Sequence, residues 1–213
     1  RRRSGPANKR VAAALPRVML AGMKRWGIRL LAVVAGIALG LGGAWLAVRG
    51  GLGAGSAKSG PWVTSAVPGS ADADLRTRAT VAVAGLLALS AKEAIYFNAE
   101  EDSAGAPLDG RCRYRVTGRD PKARWWSITL YGADHFLAPN PEQRFSFHAR
   151  NVPRAGHETF AFDVAPTGAG DDWLPTGGQT RFALTLRAYN PDPAIIGRPD
   201  RVNLPRIEKV SCA

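Results

Sequence analysis

The sequence predicts a mainly β protein (α+β at the edge): an antiparallel β-sandwich or jelly-roll-like domain with one packed N-terminal helix, preceded by a single transmembrane helix. Three observations predict it: an uncharged apolar run near the N-terminus, helical spacing of apolar residues after residue 72, and alternation of apolar and polar residues after Gly110. The 213 residues allow one domain with appendages, and 46% apolar with 22% charged side chains exclude a disordered or collagen-like chain.

The positive charge is concentrated at one end of the chain. The formal net charge is +12, but residues 1–29 carry nine basic side chains and no acidic one, whereas the chain from Asp72 onward carries 18 basic and 17 acidic side chains. The body is therefore almost neutral, which argues against nucleic-acid binding by the folded domain. We expect the natural start at Met19 or Met23, so that part of the basic arm precedes it.

Residues 30–48 form the predicted membrane anchor. These nineteen residues have no ionisable side chain and as a helix would span about 28 Å, close to the roughly 30 Å hydrocarbon core of a bilayer. The positive-inside rule places the basic arm, residues 1–29, in the cytoplasm and the chain after the anchor outside. A cleaved signal peptide is the alternative interpretation.

One face of the predicted anchor carries small residues four positions apart. The members of this stripe are Ala32, Gly36, Gly40 and Ala44. Such spacing allows close helix–helix approach in lipid, so the stripe predicts a homodimer or a membrane-protein partner. Glycine and alanine are common in anchors, and chance spacing is the alternative.

Two segments connect the anchor to the strands. Residues 49–70 are rich in Gly and Ser without apolar periodicity, which predicts a flexible linker before a domain at 71–213. After a cap at Asp72 or Asp74, helical spacing predicts a helix that runs to about Ala99 and covers a sheet. Its predicted buried face comprises Val81, Leu86, Leu89 and Ile95.

Period-two patterns after Gly110 predict the sheets. Apolar and polar residues alternate in short segments at 112–116, 125–131, 145–147, 160–162 and 182–186. Each pattern is typical of an antiparallel strand with one face inward, and Gly- or Pro-containing turns separate the segments. Five or more short strands within about a hundred residues predict a sandwich or jelly roll.

A series of short motifs runs in order along this domain. They are Tyr96-Phe97, Leu108-Asp109-Gly110, Tyr114, Trp126-Ser127-Ile128-Thr129-Leu130-Tyr131, Asn140-Pro141, Arg144-Phe145, Trp173-Leu174-Pro175, Leu186-Arg187-Ala188-Tyr189 and Pro191. Together they resemble the bacterial domain of unknown function DUF1214, over roughly residues 72–210. The resemblance implies a β-rich sandwich in a membrane-anchored envelope protein and no established chemistry. We expect a short, membrane-anchored member of this kind, without the companion domain DUF1254 of longer envelope proteins.

Five polar residues of these motifs are the predicted ligand-binding residues: Tyr131, Asn140, Arg144, Arg187 and Tyr189. Alternation places Arg187 and Tyr189 on the opposite side of their strand from Phe182 and Leu184, outside the presumed core. The alternative is structural: Asn140 caps a turn, and Arg187 and Tyr189 hold loops together.

A basic cluster is the second candidate site. Its members are Arg111, Arg113, Arg115, Arg119, Lys122 and Arg124. The first three project from one strand face opposite the presumed core, which predicts a patch for lipid phosphates, an anionic polysaccharide or an acidic protein partner. The alternative is a solvated face balanced by acidic residues, with Asp171, Asp172 and residues 100–102 available.

The two cysteines, Cys112 and Cys212, predict a disulfide, because an even count in an oxidising compartment favours pairing; two free thiols are the alternative. His135, His148 and His157 fit no ligand spacing, so we predict no metal site, and no motif predicts a cofactor.

These expectations combine into a single-pass protein of the bacterial inner membrane with a cytoplasmic N-terminus and a periplasmic domain. That domain is predicted to be a binding or accessory module for an envelope lipid, a glycan or another membrane protein. A hydrolase or carbohydrate-active enzyme that uses the sandwich cleft is the alternative. If the domain is an enzyme, we expect a deep pocket with converging acids or histidines. If it is a binding module, we expect a shallow groove or an apolar patch.

Overall fold

The computed structural model describes residues 15–49, 56–65, 69–71, 73–83, 89–168 and 170–212. The chain divides into two compact units, Arg1–Gly50 and Gly51–Ala213.

The first unit contains one long helix, α1 (Leu15–Arg49). Within it, Arg25–Ala47 is long and apolar enough to cross a membrane, a property that signal sequences share, and its side chains are exposed. The helix begins well before the predicted anchor at 30–48, because the arm also contains good helix formers such as Leu, Met, Lys and Arg. A Cβ on Gly36 or Gly40 would meet nothing within 4 Å, so the stripe of small residues is open and its partner stays a prediction.

The second unit is a sandwich of two sheets, which confirms the predicted fold class. The first sheet has six strands in the order β1 (Ser56–Ser59), β2 (Trp62–Ser65), β3 (Ala94–Ala99), β10 (Phe182–Pro191), β5 (Ala123–Gly132) and β6 (Ser146–His148). The second has the order β11 (Arg206–Cys212), β4 (Cys112–Arg119), β8 (Thr159–Ala165) and β7 (Arg154–Gly156), with β9 (Trp173–Pro175) parallel to β8. The helical elements of this unit are α2 (Leu75–Val83), α3 (Pro193–Gly197) and a 3-10 turn at Pro199–Arg201.

Aromatic pairs join the two sheets across the core. Trp126 of the first sheet lies 4.9 Å from Phe160 of the second, between ring centroids, and Phe147 lies 4.8 Å from Phe162. All four rings are buried. The alternating apolar positions predicted from 112 onward therefore face a shared core, as expected for sheets that are apolar on one side.

The predicted flexible linker is wrong for residues 56–65. These residues form the β1–β2 hairpin at the edge of the six-stranded sheet, and β2 pairs with β3 through Val63 opposite Asn98. Trp62 is fully buried, and its indole N–H donates to the carbonyl of Pro205 at 2.7 Å. The burial of one large aromatic side chain outweighs a composition that favours disorder. Residues 50–55 and 66–68 lie outside the described residues.

The predicted long helix is also wrong in its second half. Asp74 caps α2 by accepting from the backbone N–H of Thr77 at 2.7 Å, but the helix ends at Val83, and only Thr80 of it is buried. Ile95, assigned to the helix from its spacing, lies in β3, where Ile, Tyr and Phe suit a pleated and half-buried strand. Asp72 and Leu86 lie outside the described residues.

The predicted disulfide is confirmed. Cys112 begins β4 and pairs in register with Cys212 of β11, with 4.0 Å between their Cα atoms. The bond closes a loop with a sequence separation of 100 residues, so it ties the first strand of the second sheet to its last.

Candidate ligand-binding face

The outer face of the six-stranded sheet carries the best candidate site, and strand alternation creates it. In β10, Leu184, Leu186 and Ala188 point into the core, so Thr185, Arg187 and Tyr189 point outward. The register aligns β3 and β5 on either side, with Tyr96 and Ser127 directly opposite Arg187. We call this surface the Arg187 face. Its members are Tyr96, Asn98, Trp125, Ser127, Thr129, Tyr131, Ser146, His148, Thr185, Arg187 and Tyr189.

Arg187 lies along the sheet at the centre of this face. Its Cα is opposite Ser127, yet its Nη1 donates to Thr129 Oγ1 at 3.2 Å and its Nη2 donates to Tyr131 Oη at 2.7 Å. The guanidinium carbon is 5.3 Å from the ring centroid of Tyr131 and 5.7 Å from that of Tyr96. Both rings are within the range of cation–π attraction, so they hold the guanidinium flat and in place.

The other end of the face is aromatic. The ring centroid of Trp125 lies 5.3 Å from that of Tyr189 and 5.4 Å from that of His148. His148 is fixed by its own loop, since its Nδ1 accepts from the backbone N–H of Arg150 at 3.2 Å. From Trp125 to Tyr131 the face extends six residues along β5, or about 20 Å.

The floor between these rings is made of hydroxyl groups. Ser127, Thr129 and Thr185 are buried although they are on the outer side of the sheet, because the larger side chains around them cover them. Thr185 Oγ1 donates to Asn98 Oδ1 at 2.8 Å, and Thr129 accepts from Arg187. Two of the three hydroxyls thus have hydrogen-bond partners that hold them in place, as a preorganised site needs.

The face has a net positive charge. None of the outward positions of β3, β5, β6 and β10 holds an Asp or Glu, and no salt bridge among the described residues involves Arg187. Burial raises the pKa of Tyr96. The neighbouring hydroxyls of Tyr189 and Tyr131 raise that pKa further, and the cation of Arg187 lowers it. Tyr96 is therefore neutral at pH 7, and Arg187 is a cation without a carboxylate partner in the described part of the chain.

The structure brings together three of the five predicted ligand-binding residues. Tyr131, Arg187 and Tyr189 belong to the Arg187 face. Asn140 and Arg144 instead form hydrogen bonds with backbone groups that are not part of this face. Asn140 Nδ2 donates to the carbonyls of Ala138 and Arg144 at 3.1 Å, and its Oδ1 accepts from the N–H of Arg144 at 3.0 Å. Asn140 therefore fixes a turn, as the structural alternative predicted.

Arg144 connects two loops. Its Nη1 donates to the carbonyls of Gly170 and Trp173, each at 3.1 Å, and its Nη2 forms an ion pair with Asp171 at 2.6 Å. It thereby ties the segment before β6 to the segment that leads into β9. These bonds use the guanidinium for structure.

Two carboxylates already pair with half of the six cations in the predicted basic patch. Arg111 pairs with Asp109 at 2.6 Å, and Asp163 pairs with Arg113 at 2.9 Å and with Arg115 at 2.5 Å. Arg111 lowers the pKa of Asp109 to about 2 by hydrogen bonding. The solvated-face alternative thus describes these three arginines, although the balancing acids are not the ones expected from the sequence.

The remaining cations of the basic cluster belong to the β4–β5 hairpin: Arg119 ends β4, Lys122 is in the turn, and Arg124 is in β5. The described residues provide no salt bridge to any of the three. The carboxylate of the intervening Asp120 pairs with Arg154 at 2.7 Å.

The sequence analysis predicts three of the eleven members of the Arg187 face as site residues, and Tyr96 and Trp125 are among the eight that it does not. The helix expected up to about Ala99 includes Tyr96, and the alternation at 125–131 places Trp125 in a strand without marking it as a binding residue. Reading 94–99 as a strand would have placed Tyr96 on the outer face beside Arg187. The histidines are dispersed, and no group of three His, Cys, Asp or Glu side chains within the described ranges could hold a metal ion.

Comparison with known proteins agrees with the fold. A protein of Vibrio parahaemolyticus (VPA0106) has a crystal structure that matches with a TM-score of 0.55 and 26% identity, over 66% of this chain. This chain spans only 36% of that protein's length. An uncharacterised protein from Burkholderia cenocepacia is similar with a TM-score of 0.38 and 19% identity, over 57% of this chain and 30% of its own.

No curated protein matches this chain. Residues 93–193 match the family described as "Protein of unknown function (DUF1214)". The matched region begins just before β3 and ends at the start of α3, so it contains the centre of both sheets and all of the Arg187 face. Residues 93–193, the central part of the sandwich domain, are therefore similar to the DUF1214 family.

Proposed function

We propose that the chain is a single-pass protein of the bacterial inner membrane, with a cytoplasmic N-terminus and a periplasmic sandwich that binds an envelope saccharide on the Arg187 face. The membrane part is supported by the apolar helix and by the excess of basic residues on its N-terminal side. The disulfide between Cys112 and Cys212 fits an oxidising compartment such as the periplasm.

The observation that carries the binding role is the composition of the Arg187 face. Trp125 and Tyr189 present rings at one end and Tyr131 presents one at the other. Between them lie Tyr96, three largely buried hydroxyl groups, and Arg187, which has no carboxylate partner among the described residues. Small-molecule sites combine aromatic surface with a few well-placed polar groups. A pyranose has the matching pattern, with C–H faces that stack on rings and hydroxyls that exchange hydrogen bonds.

A topology experiment tests the membrane part. Protease is added to spheroplasts that carry the full chain with a tag at each end. We expect loss of the C-terminal tag and protection of the N-terminal one. A protected C-terminal tag would contradict the orientation, and release of a shortened, soluble domain would show a cleaved signal peptide.

A binding experiment tests the saccharide part. The full chain in an uncharged detergent is applied to an array of neutral and acidic oligosaccharides, beside Trp125→Ala and the matched control Arg206→Gln. Arg206 is a suitable control because it is in β11 of the other sheet and its side chain is 71% exposed. We expect at least one saccharide whose binding Trp125→Ala abolishes and the control preserves. If no bound saccharide depends on Trp125, this face is not the binding site. Shortened oligosaccharides among the products would instead indicate a carbohydrate-active enzyme.

A further inference from the structure

Resting on the proposed function, we propose that Arg187 is a specificity-determining residue that selects saccharides bearing a carboxylate, such as uronic acids. The inference concerns the chemical class of the ligand on the same face. It depends on three observations: Arg187 has no carboxylate partner among the described residues, its hydrogen-bond acceptors are uncharged hydroxyls, and the outward positions of β3, β5, β6 and β10 hold no second permanent cation.

The guanidinium has donors to spare. A guanidinium has five N–H groups, and Arg187 donates one to Thr129 and one to Tyr131, so three are without a partner among the described residues. Both acceptors are hydroxyls and carry no charge. Since a planar guanidinium binds a carboxylate through two parallel hydrogen bonds, the free edge of Arg187 is suited to a ligand carboxylate.

The single charge of Arg187 favours contact with a monoanionic group, such as one carboxylate of an acidic saccharide. A phosphate monoester carries about −1.5 to −2 at pH 7 and is bound by clusters of cations or by helix N-termini. Among the outward positions of β3, β5, β6 and β10, Arg187 is the one residue with a permanent positive charge. One guanidinium balances one carboxylate, and it leaves a phosphate monoester only partly neutralised.

The remaining side chains favour a sugar over a lipid or a nucleic acid. No Leu, Ile, Val, Met or Phe occupies an outward position of these four strands. The exposed Val63 and Leu137 border opposite sides of the face, opposite Asn98 and Tyr131, so an acyl chain finds no continuous aliphatic groove between them. A nucleic acid requires several cations along its backbone. The pair of Trp125 and Tyr189 offers stacking surface beside Arg187, and the strand length of about 20 Å accommodates an oligosaccharide rather than one ring.

The central comparison of the test is between an acidic oligosaccharide and its uncharged methyl ester. The full chain in an uncharged detergent is titrated with a hexamer of galacturonic acid, with the methyl ester of that hexamer, and with a hyaluronan hexamer as a second source of uronic acid. Inorganic phosphate serves as a competitor. Binding is measured by calorimetry for the wild type, Arg187→Gln, Arg187→Lys and the control Arg206→Gln.

We expect at least one acidic hexamer to bind, and the galacturonate ester to bind about 10- to 100-fold more weakly than its acid, the range expected for a lost charge-assisted hydrogen bond. Arg187→Gln should produce a similar loss. Arg187→Lys should also bind weakly, because an ammonium lacks the planar pair of donors. Arg206→Gln should bind like the wild type. The acid–ester comparison uses only the wild type, so the test survives if an Arg187 variant fails to fold.

Three outcomes would overturn the inference. Equal binding of acid and ester would show that charge does not select the ligand, while saccharide binding itself would stand. Competition by phosphate that matches the acidic hexamer would show a general anion site. Binding of neither acidic hexamer would reject the uronic acid class, and the array with Trp125→Ala would then decide separately whether the face binds any saccharide.

Discussion

Arg115 of β4 and Asp163 of β8 lie directly opposite each other, and their side chains form an ion pair of 2.5 Å between Nε and Oδ1. The same carboxylate is 2.9 Å from Nη1 of Arg113. Asp163 is only 8% exposed, whereas the two arginine side chains are 38% and 46% exposed. The outer face of the second sheet thus supplies its own anion, and this is why the predicted basic patch is not the stronger candidate site.

The pairing predicts that Asp163 stabilises the domain. Asp163→Asn should lower the free energy of unfolding by roughly 1–3 kcal/mol, because two arginines lose their common acceptor while they remain partly in contact with water. Urea denaturation of the full chain measures this, with Glu208→Gln as the control. Glu208 forms an exposed pair with Arg206, so its loss should cost less than about 0.5 kcal/mol. Equal midpoints for Asp163→Asn and the wild type would refute the role.

The disulfide predicts a large dependence of stability on redox state. Closing a loop with a separation of 100 residues restricts the unfolded chain, and the chain-entropy model gives up to about 4.7 kcal/mol for a loop of that length. Denaturation with and without reductant should show a lower free energy of unfolding for the reduced protein, and Cys212→Ala should show the same decrease. Cys212 is exposed, so this substitution leaves no cavity. Unchanged stability after complete reduction would contradict the prediction.

The burial of Trp62 predicts that the β1–β2 hairpin, whose composition is typical of a linker, contributes to the stability of the folded core. Trp62→Ala should cost about 3–5 kcal/mol, since it empties a buried aromatic site and leaves the Pro205 carbonyl without its donor. The neighbour Val63 points outward and is 41% exposed, so Val63→Ala is the matched control and should have little effect. Thermal unfolding of both variants tests this prediction. Similar melting temperatures for Trp62→Ala and Val63→Ala would show that Trp62 does not stabilise the core.

Where the core is concerned, the sequence was informative because alternation is a local signal. Each of 112, 114 and 116 could be assigned to the inward face from its neighbours alone, and the same pattern placed Arg187 and Tyr189 outward. The pairing of Cys112 with Cys212 followed from there being only two cysteines.

The errors have a different origin, since they concern residues whose state depends on distant partners. Trp62 sits in a Gly- and Ser-rich segment, and only its contact with Pro205, 143 positions away, makes that segment a strand. Ile95 fits a helical spacing as well as a strand, and pairing between β3 and β10 decides the matter. Charge balance by Asp163 also required knowledge that β4 pairs with β8.

Tyr96 predicts a loss of stability at alkaline pH. Burial holds the pKa of its hydroxyl above the usual value near 10, so the unfolded chain releases this proton first as the pH rises. The contribution to the free energy of unfolding is complete below about pH 10 and is lost as the pH rises through the folded pKa. Ultraviolet absorbance titration of Tyr96→Phe should lack the late-titrating component of the wild type.

Two further variants separate the causes of that pKa. Tyr189→Phe should lower the pKa of Tyr96, because it removes a neighbouring phenolate at high pH, whereas Arg187→Gln should raise it, because it removes a cation. Shifts in the same direction for both variants would contradict the arrangement of these side chains around Arg187.

The contacts of Arg144 predict that it stabilises the domain, although the sequence predicts a role in ligand binding for it. Arg144→Ala should destabilise the domain by roughly 1–3 kcal/mol, because the carbonyls of Gly170 and Trp173 lose a charged donor. Asp171→Asn is the control: it removes only the ion pair, whose carboxylate is 99% exposed, and should have little effect. Saccharide affinity measured by calorimetry well below the unfolding temperature should be the same in Arg144→Ala as in the wild type. A tenfold loss of affinity with unchanged stability would return Arg144 to the binding site, since holding two loops together would then not explain its effect.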